Sequence, residues 1–135
     1  PEALAQLRSL AGRYPDSAQG QTLLAELELI AGNAAEAKAA ADRVLTLTPN
    51  HPRGLMLRGM AAAERLRASA SGDAAAWEAA RADILAANRL APSDPLILMH
   101  YYRSFSAQGI LPPAPAQNAL FRAVQKVPAD DDLRY

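Results

Sequence analysis

Four prolines divide the chain at similar intervals, and each one follows a run of residues with helical periodicity. They are Pro15, Pro49, Pro92 and Pro128, and successive members are 34, 43 and 36 residues apart. A proline has no amide hydrogen and its ring collides with the preceding turn, so it marks the end of a helix. A helix stop that returns after 34 residues or slightly more indicates an internal repeat, which constrains the fold more than any other feature of the sequence.

The run before each proline also carries the same apolar face. Apolar residues lie twelve, eight and five positions before every one of these prolines, about one helical turn apart on one side of a helix. They are Ala3, Leu7 and Leu10; Ala37, Ala41 and Val44; Ala80, Ile84 and Ala87; and Ala116, Leu120 and Ala123. We therefore expect one kind of helix to occur four times. Alanine makes up about a quarter of the chain, which favours closely packed helices.

The length and punctuation of this unit resemble the tetratricopeptide repeat, a 34-residue helix–turn–helix motif with preferred residues at fixed positions. Those positions hold Gln21, Leu24, Ala25, Glu28, Ala37, Ala41 and Pro49 in the first complete copy, Leu55, Arg58, Gly59, Ala62, Ala80, Ile84 and Pro92 in the second, and Leu98, Tyr101, Tyr102, Phe105, Ala116, Leu120 and Pro128 in the third. Gly32 and Gly109 fall where members of the family turn between their two helices. The chain departs from the pattern because most large aromatic residues are absent, Arg58 replaces a leucine, and Tyr102 occupies the place of a small residue.

The resemblance implies an all-α fold, a right-handed superhelical solenoid of antiparallel helix pairs. We expect residues 1–135 to form one domain, with a half repeat at 1–15, repeats at 18–51 and 95–130, and a repeat with an extended hairpin at 52–94. The expected helices cover residues 2–13, 18–31, 34–47, 52–70, 73–90, 95–108 and 115–126. Since the chain starts at Pro1 rather than at methionine, we expect it to belong to a longer protein.

Local signals predict where these helices begin and end. Asn33 followed by Glu36 has the form of a helix cap with a reciprocating acid, and Asp73 is expected to cap the helix after it. Prolines that fit a first helical turn are Pro52, Pro95 and Pro115, and glycines that fit a helix C-terminus are Gly12 and Gly32.

The second copy is nine residues longer than 34, and the excess lies near "ERLRASASGD", residues 64–73. Both flanks keep helical periodicity, which predicts a helical hairpin lengthened by about two turns. A disordered Ser/Gly loop is the alternative. In the third copy, "ILPPAP" must be an irregular turn because Pro112 and Pro113 cannot continue a helix.

Charge and motifs exclude several classes of function. The chain carries 14 basic and 14 acidic side chains without a Lys/Arg cluster, so we expect no nucleic-acid partner. No apolar run reaches the roughly 18 residues of a membrane span. Cysteine is absent, which removes disulfides and thiol chemistry. There is no phosphate-binding glycine loop, nucleophile elbow or His-Glu-x-x-His motif, so we expect no catalysis, no cofactor and no metal site.

The remaining polar and aromatic residues have structural roles in this interpretation. We expect His51 to be a solvated loop residue. The acidic run at residues 129–132 is expected to open a further helix, with cation binding as the alternative. The aromatic residues expected to pack in the core or between repeats, with stacking on a peptide as the alternative, are Trp77, Tyr101, Tyr102 and Phe105.

In proteins that look like this one, the first helix of each pair lines a concave surface that holds an extended peptide or a partner helix. The resemblance places on that surface, or at its edge, Thr22, Glu26, Arg53, Met56, Leu57, Met60, Met99, His100 and Arg103. All three methionines are in this set, and methionine suits surfaces that accept several partners. The alternative is that they fill ordinary contacts between repeats. We do not expect the carboxylate clamp of chaperone-binding members, because only Arg103 matches its Lys, Asn and Arg residues.

Three classes of function agree with the sequence. The first is a protein–protein interaction module that binds a peptide or partner helix in an apolar, methionine-containing concave groove. The second is an architectural segment that packs on its own longer chain or self-associates, since incomplete end repeats expose apolar faces to a neighbour. The third is an accessory segment of a bacterial enzyme, such as an exported peptidase. No compartment follows, although an exported bacterial protein fits the absence of cysteine.

Overall fold

A computed structural model describes residues 2–126, and every regular element in that range is a helix. The seven helices are α1 (Glu2–Arg13), α2 (Ala18–Ile30), α3 (Ala34–Leu47), α4 (Pro52–Ala68), α5 (Ala74–Leu90), α6 (Pro95–Gln108) and α7 (Ala114–Lys126). The expected all-α fold is therefore confirmed for this range, and the expected helix ends agree with the observed ones to within two residues. The acidic run at residues 129–132 lies outside the described residues.

The helix starts are fixed by local chemistry, as the sequence predicted. Pro52 and Pro95 occupy the first turns of α4 and α6, where a missing amide hydrogen costs no hydrogen bond. Asp73 Oδ1 accepts hydrogen bonds from the backbone N–H groups of Ala75 and Ala76 at 3.1 and 3.2 Å. These amides have no partner within α5, so the carboxylate of Asp73 satisfies them.

Glycine supports two of the turns between helices. Gly32 follows α2 with a φ of +84°, and Gly109 follows α6 with a φ of +83°. A residue with a Cβ rarely adopts this conformation, which is why glycine stands at both positions. Gly12 lies at the C-terminus of α1 as predicted, one residue before its end at Arg13, but it has no positive φ and the N–H of Tyr14 still donates to the carbonyl of Leu10 at 2.9 Å.

Asn33 occupies the predicted N-cap position of α3, but the predicted capping interaction is wrong. Its side chain makes no capping hydrogen bond to α3. Instead, Asn33 Nδ2 donates to Glu28 Oε1 at 3.0 Å, and Arg8 donates two further hydrogen bonds to the same carboxylate. Glu28 is buried, and a buried carboxylate requires hydrogen-bond partners. The side-chain amide of Asn33 therefore binds Glu28 instead of capping α3.

The α4–α5 pair is longer than the α2–α3 pair. Both α4 and α5 have 17 residues, against 13 and 14 in α2 and α3. α4 ends at Ala68 and α5 begins at Ala74. The additional residues of this copy therefore lengthen the two helices and do not form a long Ser/Gly loop. Trp77 closes the connection, since its ring is buried and its Nε1–H donates to the carbonyl of Ser71 at 3.0 Å. The short connection is therefore held in place by α5.

α4 and α5 approach each other closely at Gly59. A Cβ built at this position would lie 2.7 Å from the carbonyl oxygen of Ala80 and 2.7 Å from Cγ1 of Ile84. No side chain fits in such a gap, so the helices approach closely because both Gly59 and Ala80 are small. These are two positions at which the tetratricopeptide pattern prefers small residues.

Helices contact neighbours in chain order. Among the described residues each helix contacts the next one, and α4 also contacts α2 and α6. The main core runs from Leu4 and Leu7 of α1 through Leu57 of α4 to Ile97 of α6. A smaller cluster around Trp77 lies in the extended part of the α4–α5 pair. The core is therefore a continuous strip that crosses successive helices.

Candidate functional site

The nine residues expected at the concave surface separate into a buried group and an accessible group. Met56 and Leu57 are only 3% and 2% exposed and belong to the main core. Thr22 is 8% exposed, and its hydroxyl donates to the carbonyl of Ala18 at 2.7 Å. These three side chains support the surface from beneath and offer a partner little area of their own.

The accessible group lies on α2, α4 and α6, and we refer to it as the α2–α4–α6 face. Its members are Glu26, Arg53, Met60, Met99, His100 and Arg103. An ion pair ties two of the helices together, since Nη1 of Arg53 lies 3.0 Å from Oε1 of Glu26. Both side chains are partly exposed, so the pair adds less than about 1 kcal/mol of stability and chiefly fixes the position of the two groups.

Apolar side chains connect α4 to α6 on this face. Met60, Leu96 and Tyr101 are partly buried and pack against the main core. The ring of Tyr101 meets that of Phe105 edge-on, with centroids 5.2 Å apart and an interplanar angle of 86°. The expected packing role of these two aromatic residues agrees with this geometry. The face therefore combines two partly exposed methionines, Met60 and Met99, with charged side chains, and core residues of α4 and α6 lie beside it.

His100 adds a neutral polar group to the face. Burial lowers the pKa of His100, and the positive charges of Arg103 and Arg53 lower it further, while Asp94 acts in the opposite direction. The imidazole is therefore uncharged at neutral pH, and it can donate or accept a hydrogen bond.

The prediction that His51 is a solvated loop residue is wrong. His51 is partly buried and caps α4, because its Nδ1 accepts a hydrogen bond from the N–H of Gly54 at 3.0 Å. It precedes Pro52 just as the capping residue Asp94 precedes Pro95, and this parallel is the signal in the sequence that identifies it. The residues that share a cavity of about 320 Å³ with it are Gln19, Thr22, Leu23 and Glu26.

One large cavity lies away from this face, beside α3 and α5. It has a volume of about 820 Å³ and is bounded by α3 and by the extended parts of α4 and α5. A cavity of about 490 Å³ occupies the corresponding place between α1 and α3, over α2. No element of the repeat pattern indicated them, because they arise where α1, α3 and α5 make no mutual contacts among the described residues.

Ion pairs line the wall of the larger cavity. Arg58 donates to both carboxylate oxygens of Asp83, at 2.7 and 2.9 Å, and lies 3.7 Å from Asp42. Lys38 lies 2.8 Å from the other oxygen of Asp42. Arg58 stands where the family pattern has a leucine, and here it joins α4 to both α5 and α3. These four side chains compensate one another, and much of the remaining lining is alanine.

Arg81 is a buried cation that the sequence analysis did not single out. It is 2% exposed, and its guanidinium lies 4.1 Å from the centre of the Phe105 ring. It donates to Gln108 Oε1 at 2.6 Å and to Ser104 Oγ at 3.4 Å, which connects α5 to α6. Its Nε has no hydrogen-bond partner among the described residues. Arg81 lines none of the cavities described above, so its position indicates a structural role.

Comparison with known proteins gives no indication of function, so the function is inferred from the geometry. No protein-family model and no curated protein matches the chain. Within residues 2–126, no group of three or more His, Asp and Glu side chains is placed to hold a metal ion. In that same range, none of the helices combines the length and the apolar character needed to cross a bilayer.

Proposed function

We propose that the chain is a helical repeat domain of the tetratricopeptide type and that it binds a peptide or a partner helix on the α2–α4–α6 face. In this proposal the pairs α2–α3, α4–α5 and α6–α7 are stacked as a solenoid. The observation that carries the proposal is that α2 contacts α4 and α4 contacts α6, whereas α3 and α5 make no contact among the described residues. Stacked helical hairpins place their first helices side by side in this way and so create an extended surface.

Two further observations support the stacked arrangement. The small residues Gly59 and Ala80 meet where the repeat pattern requires a close approach of paired helices. The cavities of about 490 and 820 Å³ occupy equivalent places in successive pairs, each over a first helix and between two second helices. Equivalent contacts at equivalent positions are expected of repeated units.

The chemistry of the α2–α4–α6 face suits a short amphipathic segment. Met60 and Met99 are partly exposed, and their flexible thioethers adapt to apolar side chains of different shapes. Arg103 is exposed and makes no ion pair among the described residues, so it is available to an acidic group of the partner. A partner helix would present apolar residues at spacings of three and four to the methionines.

The test is a peptide selection followed by a titration. Peptides that bind the full chain are selected from a random displayed library, and the best one is measured by isothermal titration calorimetry. The double variant Met60→Glu with Met99→Glu is expected to weaken that peptide at least tenfold, because charge replaces the apolar contact. Circular dichroism of this double variant should show the same helical content as the wild type.

Two controls separate this face from other surfaces. Leu111→Glu changes a fully accessible leucine in the turn between α6 and α7, and it should leave the affinity unchanged. Ala79→Glu places a charge in the cavity of about 820 Å³. Loss of binding in Ala79→Glu, with full binding in the methionine variant, would refute the proposed face.

That same cavity favours a second candidate, an architectural segment. An alanine-lined depression allows another helix to approach closely, either from a longer chain or from a second copy. Light scattering after size exclusion would show a dimer that Ala79→Glu dissociates. A monomer at all concentrations would remove the second-copy form of this candidate.

A further inference from the structure

The start of α4 is held by a hydrogen bond that depends on a neutral histidine. The N–H of Gly54 donates to Nδ1 of His51 at 3.0 Å. A backbone amide can only donate, so Nδ1 must be the acceptor, and the neutral imidazole carries its hydrogen on Nε2. A second proton would occupy Nδ1 and convert the acceptor into a donor.

The first turn of α4 packs directly on α3, so a change in this turn would alter the contact between the two helices. A Cβ built at Gly54 would lie 2.9 Å from Cγ1 of Val44 and 3.2 Å from Cδ2 of Leu45. The first amides of a helix have no intrahelical partner, and His51 supplies one for Gly54. Without that partner, the turn that contacts α3 loses one of the interactions that hold it in place, while the Leu55 N–H still donates to the carbonyl of His51 at 3.0 Å.

The charged groups around His51 do not compensate for its protonation. An imidazolium at this position would stand at the positive end of the α4 dipole. From α2, Glu26 shares the cavity with His51, but its carboxylate already binds Arg53 at 3.0 Å. Among the described residues, neither α3 nor α6 contributes a charged residue to this cavity.

We propose that the His51 cap is a proton-controlled catch. Neutral His51 holds the first turn of α4 on α3, and protonated His51 releases it. Protonation of Nδ1 therefore operates the catch, and the test varies the pH across the range in which histidine side chains in general change charge, about pH 5 to 8. Arg53 lies in the released turn, so the catch would regulate the α2–α4–α6 face, a consequence that rests on the proposed function. The catch itself is a property of the free protein.

Nuclear magnetic resonance on the full chain tests the catch without any partner. Long-range ¹H–¹⁵N spectra are expected to show His51 with its hydrogen on Nε2 at pH 7.5. The hydrogen-exchange protection factor of the Gly54 amide, corrected for the intrinsic rate, is expected to fall about five- to tenfold between pH 7.5 and 5.5, the change that corresponds to the loss of one helix cap. The Leu96 amide, which donates to Asp94 Oδ1 at 3.0 Å, is the internal reference.

The variant His51→Asn separates the cap from the titration. Asparagine keeps a capping oxygen but gains no proton in this range, so the protection of Gly54 should stay constant. A hydrogen on Nδ1 at pH 7.5, or an equal loss of protection in His51→Asn, overturns the catch. If the catch operates and the selected peptide binds equally at both pH values, the catch stands and its link to the docking face is refuted. If no peptide binds that face, the proposed function fails while the catch stands.

Discussion

Replacing Gly59 with alanine is a direct test of the contact between α4 and α5. The added methyl group would meet the carbonyl oxygen of Ala80 and Cγ1 of Ile84, each at 2.7 Å. Favourable contacts between such atoms lie at about 3.5–4.0 Å, so the two helices must separate or distort. The carbonyl belongs to the backbone and Ile84 is buried, so neither group can move aside easily.

Two opposing effects set the expected magnitude. Overpacking of a close contact costs about 1–3 kcal/mol. Alanine is favoured over glycine within a helix by about 0.8–1 kcal/mol, which offsets part of that cost. Because a Cβ essentially never lies 2.7 Å from a backbone oxygen, we expect the upper part of the overpacking cost, so Gly59→Ala should lower the free energy of unfolding by about 1–2 kcal/mol. Urea denaturation followed by far-ultraviolet circular dichroism measures this difference.

Gly12→Ala is the matched control, because it makes the same chemical change in a different environment. Gly12 lies within α1, has no positive φ, and would bring its new methyl group within 4 Å of nothing. Here only the helix-forming advantage of alanine remains, so the variant should be more stable by about 0.5–1 kcal/mol. The two substitutions should therefore have opposite signs. A Gly59→Ala protein as stable as the wild type would show that α4 and α5 do not approach as described.

Three further predictions concern buried or partly buried ionisable groups. Hydrogen bonding from Arg8 lowers the pKa of Glu28 in the folded chain, so the stability that the ionised group contributes at neutral pH is lost as the pH falls through the folded-state pKa. Glu28→Gln should be less stable than the wild type at pH 7 by roughly 1–2 kcal/mol and lose less stability between pH 5 and 3, as measured by urea unfolding. Burial lowers the pKa of His100, so the unfolded chain binds more protons and the wild type loses stability on acidification; His100→Gln should lose less between pH 7.5 and 5.5 in the same assay. Arg81→Met removes the hydrogen bond to Gln108 and should destabilise the fold by roughly 1–3 kcal/mol, and an unchanged thermal midpoint would contradict the connection between α5 and α6.

Helix positions could be predicted from the sequence because they depend on local chemistry. Pro52 and Pro95 fix first turns through their own rings, and Asp73 caps α5 through amides two and three residues away. Gly32 adopts a backbone conformation that its missing side chain permits. Each of these effects operates within a few residues, so the order of residues contains the information.

Burial at the candidate site could not be predicted in the same way. Met56 and Met60 lie one turn apart on α4, yet Met56 is in the core and Met60 reaches the surface. The difference depends on how α2 and α6 pack beside α4, which periodicity along one helix does not specify. Arg81 shows the same limit, because its partner Gln108 lies on the next helix, 27 residues away. The carboxylate of Glu28 that binds Asn33 is likewise held by Arg8, which is 20 residues away on α1.

The pattern of helix contacts has a consequence for how the chain assembles. Throughout residues 2–126, no helix touches another that is more than two places away in the order. Assembly therefore requires no long segment of chain to be closed into a loop first, and proteins with such local contacts fold in microseconds to milliseconds. Loss of α1 would leave the contacts among α4, α5, α6 and α7 unchanged. The chain should come apart progressively from its ends, with the α4–α5 pair as the last element to lose its structure.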